Sequence, residues 1–153
     1  MQDIPFVSIL ILYILLVLSG LYFIALWFWQ VKVFSGRRMN NVDGSFDDWH
    51  EHSMDYGFSF ADIVIGCPVG LIGVVLTFLH FQIGFFIMAM VSFWFVWVNL
   101  ATTVTSLRFQ KPKFNFSWFI TFPFGFLMSF SYLIWTIFYY NKIFYSGLFC
   151  KVV

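Results

Sequence analysis

The hydrophobic positions of this chain come in runs long enough to cross a membrane, and the polar positions inside those runs recur at helical spacing. From Phe58 to Leu107 a single charged side chain, Asp62, interrupts fifty residues of apolar or small polar sequence. Lipid offers no water to receive backbone N–H and C=O groups, so a segment of about 20 apolar residues satisfies them only by coiling into a helix. Polar groups and a flexible residue near His80-Phe81-Gln82 and Gly84 break the run, which predicts a helical hairpin with spans at about 58–79 and 83–107. Ahead of it, about 6–29 forms a first span without charge, closed by the ring cluster Trp27-Phe28-Trp29 that suits the headgroup level. Because it follows Asp3 rather than a basic region, it reads as a retained span and not as a secretion signal. A fourth span, about 114–140, lies between Lys111-Pro112-Lys113 and Asn141-Lys142, with a kink expected at Pro123, which withdraws one backbone donor. The expected fold class is all-α: a polytopic membrane protein of four transmembrane helices in one domain over 1–153, with a short amphipathic segment between the first and second.

Within the second span Ser59, Asp62, Gly66, Gly70, Gly73 and Thr77 are separated by three or four positions and therefore share a face. Gly66 and Gly70 form a GxxxG pair that admits a close helix neighbour, although Pro68 between them bends the helix. The third span aligns Ser92, Asn99, Thr103 and Ser106, and the fourth aligns Ser117, Thr121, Gly125, Ser129, Tyr132 and Thr136. Facing lipid, these stripes leave hydroxyls and amides unpaired; facing one another, they gain about 0.6 kcal/mol per interhelical hydrogen bond. Spans two to four are thus expected to form the core, with Gly66, Gly70, Gly73 and Gly125 as packing positions. The first span, with a less polar face of Ser8, Ser19 and Gly20, is expected at the periphery or against another subunit.

Composition agrees with this picture. With 61% hydrophobic and 10% charged residues, and a mean hydropathy of +0.89, the chain lies far from globular usage, where about 25% of residues are charged. A net charge of +1 without a clustered basic face argues against nucleic acid as a partner. Cys67 and Cys150 form no CxxC, which removes thiol-redox and metal-knuckle motifs. Lys32, Arg37, Arg38, Arg108, Lys111 and Lys113 flank the span ends on one side, against Lys142 and Lys151 on the other. By the positive-inside rule the loops 30–57 and 108–113 face the cytoplasm and both termini face outward, in the inner membrane if the source is bacterial.

Three sets of residues invite a functional reading. Asp62, near one end of span two, comes level with Asn99, Thr103 and Ser106 near the same end of antiparallel span three, and is the leading candidate for contact with a ligand or ion. A central Asp costs about 2.5–3.5 kcal/mol, which the Leu, Ile, Val and Phe residues of the span offset at about 0.3–0.6 kcal/mol each. The bland alternative is that its carboxyl simply bonds neighbouring hydroxyls. In the acidic and histidine-bearing segment 45–56, Asp48, His52 and Asp55 fall at helical spacing and supply oxygen and nitrogen donors suited to a divalent metal. Three donors fall short of a metal signature, and the alternative is a wet interfacial helix with Phe46, Trp49, Met54 and Tyr56 in the headgroups. His80, at the opposite face, does not reach His50 or His52, and no Ser-His-Asp or Cys-His arrangement, HExxH or glycine-rich phosphate loop occurs.

The sparse chemistry favours an accessory or scaffold subunit that binds a larger membrane partner or its own copies. The alternatives are an oligomeric transporter or channel lined by the polar stripes with Asp62, and a metal-dependent membrane enzyme at the cytoplasmic interface.

Overall fold

The computed structural model describes residues 4–35, 56–109 and 114–145, and among these it is all-helical, with no strand. Three helices are long and apolar enough to cross a membrane: α1 (Phe6–Phe34), α2 (Tyr56–Phe78) and α3 (Gln82–Phe109). The expected fourth span is instead two pieces, α4 (Phe116–Thr121) and α5 (Pro123–Phe138), followed by a short α6 (Tyr140–Phe144). The cause is local. Pro123 occupies the first position of α5, where its missing N–H costs nothing, and the residue before it is pushed out of regular helix, with Phe122 at φ −110° and ψ −74°. Asn115 starts α4 by accepting from the backbone N–H of Trp118 at 2.8 Å.

A proline shapes α2 as well. Pro68 has no N–H for the carbonyl four positions back, and just before it the helix widens into a π turn over Asp62–Gly66, in which Cys67 N–H donates to the carbonyl of Asp62 five positions earlier. The sequence reading anticipates a bend here; the structure absorbs the defect by adding one residue to a turn.

The reversal between α2 and α3 places a histidine, not a glycine, at its left-handed position. Phe81 N–H reaches the carbonyl of Leu76 and His80 N–H that of Thr77, a Schellman closure with His80 in the left-handed position at φ 63°. Gly84 is not part of the turn itself. It lies in the first turn of α3, where a Cβ would strike the backbone of Leu76 and Thr77, so the lack of a side chain lets the two helix ends close together.

Packing runs α1 to α2, α2 to α3, α3 to α5 and α5 back to α1 around a shared interior. Leu12, Leu16, Phe23, Phe85, Met88 and Tyr132 are fully buried there. The expectation that α1 sits at the periphery fails: it packs against α2 and α5, and Trp135 Nε1 and Tyr139 Oη, from the far end of the chain, both donate to Ser8. Counting small hydroxyls and glycines alone overlooked the larger polar side chains Tyr22 and Gln30, which turn inward.

Candidate functional site

The polar stripes do face the interior. Ser59, Asp62, Gly70, Gly73 and Thr77 of α2, Ser92, Asn99 and Ser106 of α3, and Gly125, Ser129, Tyr132 and Thr136 of α5 are all buried. Thr121 departs from the pattern and is exposed, because the break at Phe122 resets the helical phase between α4 and α5.

Near the ends of α1 and α2 that carry Gln30 and Ser59, three side chains form a directed chain. Ser59 Oγ donates to Gln30 Oε1 at 2.8 Å, and Gln30 Nε2 donates to Asp62 Oδ2 at 2.7 Å. The Asp62 carboxyl is 7% exposed and folds back over Gly66, where an added Cβ would lie 2.8 Å from Oδ1. Gly66 therefore makes room for the acid rather than for a neighbouring helix. At the same ends of α1 and α2, the ring of Phe34 stacks on Tyr56 at 4.8 Å between centroids and tilts against Phe60.

A second polar unit lies deeper. Tyr22 Oη donates to Asn99 Oδ1 at 3.1 Å, while Asn99 Nδ2 donates to the carbonyl of Phe95 in its own helix. Gly125 of α5 sits against this pair; a Cβ there would meet Asn99 Oδ1 at 2.5 Å and Tyr22 Oη at 2.7 Å. Gly70 receives the ring of Phe23 and Gly73 the side chains of Ile87 and Met88, so these three glycines do admit neighbouring side chains closely.

No hydrogen bond joins Asp62 to Asn99, Thr103 or Ser106 among the described residues. Asp62 bonds Gln30 and Asn99 bonds Tyr22, both on α1. Thr103 Oγ1 donates back to the carbonyl of Asn99, and Ser106 Oγ accepts from Trp118 Nε1 at 3.0 Å. The stripe predicts depth correctly but not the helix that supplies each partner. The signal that could have found those partners is Gln30 itself, an uncharged amide at the end of an otherwise apolar span, level with the acid once the first two spans run antiparallel. Asp48, His52 and Asp55, with the divalent metal they would hold, lie outside the described residues.

The chemistry open to this arrangement is limited. An amide between Ser59 and Asp62 polarises its neighbours but does not surrender its proton at ordinary pH, so the chain orients the carboxyl without relaying protons to it. An apolar surface groove of about 410 Å³ lies elsewhere, between α1 and α5, lined by Ile11, Leu15, Ser131, Ile134, Trp135, Phe138 and Tyr139. Comparisons with family models, with curated proteins and with solved structures find no match to this chain.

Proposed function

We propose that this chain is a small integral membrane protein serving as an accessory or scaffold subunit of a larger membrane partner. The observation that carries the reading is how the interior polar groups are used. Asp62 pairs with Gln30, Asn99 with Tyr22, Ser106 with Trp118 and Ser8 with Tyr139, so the polar side chains tie helix to helix. A channel or an active site keeps such groups available for an ion or substrate. Here the outer surface is left as the means of action, and it is dense in exposed rings on α1, α3 and α5.

In this reading α4 and α5 together make the fourth crossing. The cation-bearing segments 30–57 and 108–113 face the cytoplasm and the His80 turn faces outward. Blue-native electrophoresis after mild solubilisation tests the proposal. Co-migration with a second, larger chain is expected; a lone small species under every gentle condition counts decisively against it.

One observation favours a second reading, a multimeric transporter: Asp62 begins a π turn, a distortion that recurs at functional sites in helices. Flux into reconstituted vesicles that is unaltered by Asp62→Asn removes the acid from any such mechanism.

A further inference from the structure

Six tryptophans lie within the described residues, and four of them occupy ordinary positions. Trp118 and Trp135 donate their indole N–H groups inside the protein, to Ser106 Oγ and to the carbonyl of Ser8. Trp27 and Trp29 stand in the last third of α1, toward the end where headgroups receive an indole donor. Trp94 and Trp97 of α3 do neither. They are 41% and 54% exposed, their rings lie 5.5 Å apart, and neither N–H has a hydrogen-bond partner among the described residues.

Their depth makes this unusual. Trp94 is twelve residues after Gln82 and fourteen before Arg108, and Trp97 is fifteen after and eleven before. At a rise of about 1.5 Å per residue, both lie roughly 17–22 Å from either polar end of α3, beyond reach of headgroups in a hydrocarbon layer about 30 Å thick. Acyl chains offer no acceptor, so two adjacent donors stand unsatisfied where that is costly.

We propose that Trp94 and Trp97 form the docking surface for a transmembrane helix of another protein that carries an oxygen acceptor at mid-bilayer depth. The acceptor is a hydroxyl or amide side chain. A second copy packed α3 to α3 in the same orientation does not meet the requirement: it brings Met90, Phe93 and Ala101 toward this level, all without oxygen in the side chain. Two neighbouring, largely rigid indoles, their rings tilted by 34°, also have the character of interface anchors, which give much contact area for little loss of side-chain freedom. The inference rests on the accessory-subunit reading and specifies its surface.

The test uses the full chain in its native membrane, with a photo-reactive phenylalanine analogue at Phe93, which is 69% exposed beside Trp94. Irradiation is expected to give one discrete adduct, and mass spectrometry is expected to place the joined peptide at a mid-span segment bearing Ser, Thr, Asn or Gln. The pair Trp94→Phe and Trp97→Phe keeps an aromatic ring at each position while removing both donors, and is expected to lower adduct yield about tenfold. Adducts to lipid only, a join between two copies of this chain, or equal yield with and without the indole donors each overturn the proposal. If the blue-native complex persists while α3 fails to cross-link, this surface is wrong and the subunit reading stands; loss of both removes the two together.

Discussion

Tyr22 and Asn99, 77 positions apart in the chain, share a hydrogen bond of 3.1 Å, and the glycine at position 125 leaves the third helix face of that contact without a side chain. Three helices therefore converge on one phenol–amide pair. Gly125→Ala is expected to destabilise the fold by about 1–3 kcal/mol, because the methyl group meets a fixed amide and a fixed hydroxyl rather than a flexible chain end. Tyr22→Phe, which leaves Asn99 Oδ1 without its donor and retains the ring packing, is expected to cost less, about 0.6–1.7 kcal/mol. Thermal unfolding in mild detergent checks the order, and a Gly125→Ala variant as stable as the parent removes the close contact from the account.

The Gln30–Asp62 bond makes a contrasting pair of variants informative. Asp62→Asn keeps an oxygen that accepts from Gln30 Nε2, so a loss below about 1 kcal/mol is expected. Gln30→Ala strips the buried carboxyl of its Gln30 donor and removes one of the interactions of Ser59, so about 1–3 kcal/mol is expected. Equal losses from the two variants show that the charge on Asp62, rather than its hydrogen bond, holds α1 to α2.

Depth was legible in the chain and partnership was not. The three-to-four spacing from Ser59 to Thr77 and from Ser92 to Ser106 marks the inward faces of α2 and α3, since helical phase is unbroken enough there to carry one stripe inward. Two prolines act differently on that phase. Pro123 ends a helix, so Thr121 falls off the stripe that includes Gly125, whereas Pro68 is accommodated by a wider turn that keeps Asp62 and Gly70 both buried. Which helix satisfies Asp62 depends on reach: Gln30 is long enough to cross from α1, while Asn99 is taken up by Tyr22 and by its own backbone. Spacing within one helix carries no information about such choices.

Acidification is expected to loosen the α2–α3 turn. Burial holds the imidazole of His80 below its ordinary value of 6.5, so the neutral ring is the form the fold prefers. Between the depressed folded value and 6.5 the unfolded chain binds more protons than the folded one, which makes stability rise with pH across that window. It is full above 6.5 and declines as pH falls through the lower value. Unfolding midpoints at about pH 7.5 and about pH 5.5 should differ more for the parent than for His80→Gln, which cannot titrate there. An identical pH response in both proteins excludes His80 as the source.

The backbone at the same residue can be separated from its side chain. His80 adopts φ 63°, a conformation that places Cβ close to the following carbonyl, and its Nε2 meets Tyr13 Oη at 3.3 Å. His80→Gly and His80→Ala both lose the contact with Tyr13, but only alanine keeps a Cβ in the left-handed position. The glycine variant is therefore expected to be more stable than the alanine variant by about 1 kcal/mol, with the parent's rank set by how much the Tyr13 contact returns. The comparison cancels the imidazole, its charge and its burial, so the difference reports the turn alone. Alanine matching glycine in unfolding midpoint means the reversal tolerates another geometry, and the Schellman closure at Leu76 and Thr77 is then not what brings α2 and α3 together.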